Sequence, residues 1–273
     1  MKRFVLITCL FLFGFAKDKP MVTVTLAPYA YAIEKIAQSD IQVNILIPEN
    51  ANPHIYETKP KEMKKLAQSE LWFCSGEQIE KKLKPNIKTK TIELNKNITL
   101  LHDECSHCSS GHHHHNSQDL HTWMSPKNYL QQSKTILDAL CESFPDKKTK
   151  FMDNFKELES ELGKLVVVVE NYSHKPDCDS FIVSHAAYQY LCHELNMNQI
   201  SLEYEGKESS LKHLQKIYED QQSKSFKKVF CQVQHGDMGA KRLASLLKSE
   251  VITVNPYQKN YPKAVQEVIE ELP

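Results

Sequence analysis

The chain is 273 residues long, carries 34 Lys and Arg against 34 Asp and Glu, and is 41% hydrophobic. This charge balance excludes the basic footprint of a nucleic-acid-binding surface, and the length allows one large domain or two medium ones, each able to bury a core. The eight cysteines fall at scattered spacings that specify no disulfide framework, and no bridge is assigned.

The first residues are Met1, Lys2 and Arg3, followed by an apolar stretch from Phe4 to Ala16 and then Lys17, Asp18 and Lys19. A basic start, an apolar run closed by the small residues Gly14 and Ala16, and an abrupt return to polar sequence make residues 1–16 a secretory signal. The run is shorter than the ~20 residues a helix needs to cross a bilayer. Cys9 follows Thr8 and sits early, which disfavours a lipid-modified N-terminus. The destination is a periplasm or a cell surface.

Strands and helices alternate from there. Met21 to Leu26 alternates like a strand and Ala30 to Ala37 has helical spacing; Ile41 to Ile47 reads as a strand and Lys59 to Gln68 as a helix. Leu71 to Cys74 is a short buried strand, Gly76 to Leu83 a helical turn and Thr91 to Leu94 another strand. The pattern becomes helical over Asn128 to Phe144 and again over 147–172, where Phe151, Phe155, Leu158, Leu162 and Leu165 keep one apolar face and carry the β-branched run Val166 to Val169 with them. Alternation then resumes: strands at Asp179 to Ser184, Gln199 to Leu202, Lys228 to Gln232 and Glu250 to Val254, helices at Ala186 to Glu194, Ser209 to Gln222 and Ala240 to Leu247. Such alternation predicts an α/β chain with parallel sheets. Two similar halves, 17–146 and 173–273, flank one long helix.

Residues 102–118 differ from their surroundings. The segment holds His102, His107, His112, His113, His114 and His115 among Cys, Ser, Gly and acidic residues, and cannot build a core. It reads as a surface loop with auxiliary metal affinity, able to capture or deliver an ion.

Three other histidines share one expected setting, at or beyond the end of a strand and ahead of a helix: His54 in Asn52-Pro53-His54-Ile55-Tyr56-Glu57, His121 in Leu120-His121-Thr122-Trp123-Met124-Ser125-Pro126, and His185 in Ser184-His185-Ala186-Ala187-Tyr188. Ligands of open parallel sheets bind outside the carboxyl ends of the strands, so these side chains can converge. Three neutral imidazoles and one further ligand make a tetrahedral zinc site. Binding needs neutral rings, so affinity is expected to fall below about pH 6.5, the ordinary imidazole value.

These segments, with Cys74-Ser75-Gly76 to Glu80, resemble in order and spacing the metal-ion solute-binding proteins of ABC transporters, over nearly the whole mature chain. The resemblance implies two lobes, each a mostly parallel four-stranded sheet flanked by helices, joined by one long rigid helix that limits lobe movement. It implies that His54 and His121 from the first lobe and His185 from the second hold one ion in the cleft, and that a membrane permease receives it from a monomeric receptor. A fourth, acidic ligand followed by proline is usual in the family; here Val254-Asn255-Pro256 stands in the matching place. Asn255, water, Glu57, a histidine of the 102–118 loop or His235 could fill that position. Gln232 stands where relatives commonly carry glutamate. Fewer carboxylates favour Zn2+ over Mn2+ or Fe2+, and a His-rich insertion is common in zinc members.

Two rival readings remain. A zinc hydrolase would need a placed general base, for which only Glu57 offers itself, and no His-Glu-x-x-His signature is present. A metal buffer or adhesin would let the loop do the main work and would bind several ions of similar affinity.

Overall fold

A computed structural model describes residues 19–102, 118–172, 179–203, 210–224 and 228–272. The expected signal, residues 1–16, and most of the histidine-rich segment lie outside the described residues.

The first lobe runs β1 (Met21–Leu26), α1 (Pro28–Ala37), β2 (Gln42–Ile47), α2 (Pro60–Ala67), β3 (Leu71–Cys74), α3 (Gln78–Leu83), β4 (Lys90–Glu93) and α4 (Pro126–Ser143). Then come the long helix α5 (Lys148–Glu170) and the second lobe: β5 (Ser180–Val183), α6 (Gln189–Leu195), β6 (Asn198–Ser201), α7 (Leu211–Gln221), β7 (Lys228–Gln232), α8 (Met238–Leu247), β8 (Glu250–Val254) and α9 (Tyr261–Glu270). The strands pair in the orders β2-β1-β3-β4 and β6-β5-β7-β8, every pair parallel. Both sheets therefore reverse winding direction beside their first strand, between β1 and β3 and between β5 and β7. Such switch points leave a crevice at the carboxyl edge, where ligands bind.

β1 is buried at five of its six residues, as a central strand covered on both faces must be. Helix α5 is 23 residues long and buries Phe151, Phe155, Leu158, Leu162, Leu165 and Val169, while Val167 and Val168 face solvent. Each such buried side chain stabilises the fold by roughly 1.5–3 kcal/mol. That face packs against α1 and α4 of the first lobe and α6 and α9 of the second. One hydrophobic core accordingly runs from Val22, Tyr29 and Trp123 through Phe151 to Phe181, Tyr188 and Tyr257.

Some expected elements shift. Helix α6 starts at Gln189 rather than Ala186, because the Ala187 N–H turns back to the His185 carbonyl at 2.8 Å. Helix α7 starts after Ser210, whose Oγ accepts from the His213 N–H and caps it. Helix α9, unforeseen in the sequence pattern, starts behind Asn260, whose side chain accepts from the Lys263 N–H. It returns to the first lobe, where Tyr261 stacks on Tyr129 with ring centroids 3.5 Å apart. Among the described residues no helix is long and apolar enough to cross a membrane, and Cys74, Cys141, Cys192 and Cys231 are free thiols.

Candidate metal centre

His54 follows β2, and its backbone N–H is turned by the Asn52 side chain at 2.9 Å. His185 stands two residues beyond β5, beside the second switch point. His121 follows no strand, contrary to the expected setting; β4 ends at Glu93, and His121 instead leads through a short turn into α4, whose Ser125 cap bonds the Asn128 N–H. The turn after β3 supports it from below. Gly76 has φ 98°, and a Cβ there would meet Leu120 at 3.2 Å, so only glycine lets residue 120 pack so closely ahead of His121.

The three rings converge. Their centroids are 5.0 Å (His54 to His185), 5.2 Å (His121 to His185) and 6.2 Å (His54 to His121) apart. One ring nitrogen of each lies within 4.8 Å of the others, and the Nε2 atoms of His54 and His185 are 3.2 Å apart. Two nitrogens bound at 2.0–2.1 Å with a tetrahedral angle between them stand about 3.3 Å apart, so this pair already has the spacing of one edge of a zinc site.

Carboxylates stand behind two of the rings. The Nδ1 of His121 meets Asp119 Oδ1 at 2.7 Å, and the Nδ1 of His185 meets Glu203 Oε2 at 2.7 Å. An ionised carboxylate only accepts, so each Nδ1 carries the proton and each Nε2 keeps a lone pair directed away from its carboxylate. Burial would raise the Glu203 carboxyl, but hydrogen bonds from His185 and His235 outweigh it and hold the group down at about 2. Loss of hydration, with the neighbouring His185 and His121, pushes His54 down to about 4; burial likewise lowers His185 against the pull of Glu203. His54 therefore favours its neutral form to well below pH 6.5, and His185 is shifted in the same direction. Burial pushes Glu77, in the turn after β3, up to about 7.

The fourth-position candidates are placed differently. Glu57 is exposed and outside both groups of side chains spaced to share a metal. The Asn255 amide oxygen already accepts from Gln234 Nε2 at 2.7 Å and the Tyr257 N–H at 3.0 Å. Tyr257, two residues on, brings its hydroxyl to 3.2 Å from His121 Nε2. His235 stacks on His185 and forms a second group with His185 and Glu203. His102 is exposed and pairs with Gln118 in an antiparallel bridge; His107, His112, His113, His114 and His115 lie outside the described residues. Asp119, Glu203 and Tyr257 were missed in the sequence. Only Asp119 left a signal there, two residues ahead of a candidate ligand.

The family described as ZnuA, zinc-uptake complex component A, periplasmic, matches residues 22–272. A protein of Chlamydia trachomatis is 32% identical over 186 residues, 68% of this chain and 65% of its own length. The high-affinity zinc uptake system protein ZnuA of Yersinia pestis is 27% identical over 193 residues, 62% of this chain and 61% of that protein. These matches span less than two thirds of either relative. A crystal structure of ZnuA superposes with a TM-score of 0.84 at 25% identity, covering 93% of this chain and 98% of that one.

Proposed function

Because this chain belongs to the ZnuA family of periplasmic zinc-uptake components, we propose that it is an exported receptor that captures one divalent ion, Zn2+ ahead of Mn2+ or Fe2+, and delivers it as a monomer to the permease of an ABC transporter. The observation that carries this reading is the convergence of His54 and His121 from the first lobe with His185 from the second, two of their nitrogens 3.2 Å apart. Imidazole nitrogens suit zinc, and among the described residues no carboxylate joins that group of three to favour a harder ion. In this reading residues 17–146 and 173–273 are the lobes and 147–172 the connection between them.

Delivery requires that the ion be held without being used, and the site fits that. The carboxylates nearest the rings, Asp119 and Glu203, are committed to Nδ1 hydrogens, which orients the ligands and leaves neither as a base for water. Glu57, the one base a hydrolase reading had available, is outside the cluster. We therefore read the chain as a binding protein and not an enzyme. The histidine-rich segment serves as an auxiliary, weaker collector.

Competition with a chelator tests the reading on the full chain, on a chain lacking residues 103–117, and on His54→Ala, His121→Ala and His185→Ala. One tight, zinc-preferring ion that survives the deletion and is lost in each substitution is expected. Tight binding lost with the deletion alone would make the loop the main site and a metal buffer the better description.

A further inference from the structure

The metal-facing lone pair of His121 is engaged by the protein itself. Asp119 holds the proton on Nδ1, so Nε2 is an acceptor, and the Tyr257 hydroxyl stands 3.2 Å from it. A phenol, with an ordinary pKa of about 10, keeps its proton at neutral pH, so the hydroxyl is the donor in this pair. The bond joins the two lobes. His121 leads into α4 of the first, whereas Tyr257 stands three residues beyond β8 in the second.

Tyr257 is held from several sides. It is 2% exposed, and its N–H donates to Asn255 Oδ1 at 3.0 Å. The Trp123 indole N–H donates to the Pro256 carbonyl at 2.9 Å, and the Tyr257 ring lies against Trp123 with centroids 5.3 Å apart. These ties leave the hydroxyl little freedom, and His121 Nε2 is its one hydrogen-bond partner among the described residues. An imidazole Nε2 has a single lone pair in the ring plane, so a hydroxyl and a metal ion cannot share it. An ion that binds His121 must break this bond and leave a buried donor without its acceptor, which is unfavourable.

We propose that Tyr257 competes with the ion for His121 and so sets how tightly this receptor holds its cargo and how readily it lets go. The proposal rests on the three-histidine reading above. A delivery protein must surrender what it binds. As the ion leaves, the hydroxyl retakes the lone pair, which stabilises the ion-free ring and favours departure. The competition does not depend on which metal is bound. It weakens every ion that uses His121 by the same factor, so Tyr257 tunes strength and not selectivity.

The test is Tyr257→Phe in the full chain, which keeps the ring against Trp123 and removes only the hydroxyl, set beside the parent and His121→Ala. Chelator competition gives the affinity for Zn2+ and Co2+, and release into excess chelator gives the dissociation rate. Expected in Tyr257→Phe are binding about 3–10-fold tighter for both ions, slower release, an unchanged Co2+ visible spectrum, and a shifted nitrogen NMR resonance of His121 Nε2 before metal is added. That resonance reports the hydrogen bond itself and would not move if Tyr257 only packed. Unchanged or lower affinity, or tighter binding without the resonance shift, would overturn the proposal; lower affinity with an altered Co2+ spectrum would make the phenol oxygen a ligand instead. In each of these cases loss of tight binding in His121→Ala leaves the three-histidine site standing. Tight binding that survives His121→Ala would remove that site, and the proposal with it.

Discussion

Gln232 holds His185 by both ends of its backbone: Oε1 accepts from the His185 N–H at 2.9 Å and Nε2 donates to the His185 carbonyl at 2.6 Å. The same oxygen takes the Ser184 hydroxyl, and Gln232 is fully buried. A glutamate here could accept but not donate, leaving the His185 carbonyl without this partner and placing a charge among buried groups. Gln232→Glu, although it introduces the residue common in relatives, is expected to lower zinc affinity about tenfold and stability by roughly 1–3 kcal/mol. Chelator competition and urea unfolding measure the two effects; an affinity equal to or above the parent would show that His185 does not depend on this clamp.

Asp119 takes both hydrogens that His121 offers on that side, the backbone N–H at 2.8 Å and Nδ1 at 2.7 Å, and is itself held by the Tyr190 hydroxyl on its carbonyl at 2.8 Å. Asp119→Asn keeps the shape but weakens the acceptor and frees the ring to take the other tautomer. Zinc affinity should fall about 10–100-fold, with little change in the folded structure. Wild-type affinity in this variant would mean that the ring is fixed by packing alone.

The pH dependence follows from the lowered rings. His54 is pushed to about 4, so near pH 5.5–6 it has no proton to release when an ion binds, and His185 is shifted in the same direction. Protonation competes only below a ring's own pKa. A site of three ordinary histidines would release about three protons per ion in acid, whereas this one should release fewer, because His54 is already neutral there. Apparent zinc affinity measured from pH 5.5 to 7.5 gives the slope directly, and a slope of about three at the acid end would contradict the lowered values.

Tyr261 fastens the second lobe to the first through its stack on Tyr129, and its ring is fully buried. Tyr261→Ala should cost about 3–5 kcal/mol in denaturant unfolding. Its hydroxyl is buried without a partner among the described residues, so Tyr261→Phe should be neutral or slightly stabilising. A large loss in Tyr261→Phe would show that the hydroxyl is satisfied by water.

The local pattern made much of this readable. Apolar alternation located the strands to within a residue or two, and the stripe from Phe151 to Leu165 correctly carried the β-branched Val166–Val169 into a helix, because the buried spacing continues at Val169 while Val167 and Val168 stay exposed. His54, His121 and His185 were visible by their surroundings. What escaped depends on tertiary order. Glu203 is 18 residues from His185 and 32 from His235 in sequence, and becomes their shared partner only because β6, β5 and β7 are neighbours. Asn255 stands at the expected fourth position, and its amide oxygen accepts from Gln234 and Tyr257, one of them 21 residues away. The acid expectation rests on an ordinary pKa, and the loss of hydration and crowding that lower His54 and His185 arise only in the tertiary packing.

The most direct test of the central claim is an anomalous difference map at the zinc edge from crystals of the full chain grown with one equivalent of zinc. One dominant peak is expected about 2.0–2.1 Å from nitrogens of His54, His121 and His185. A dominant peak elsewhere, with those three rings left uncoordinated, would contradict it.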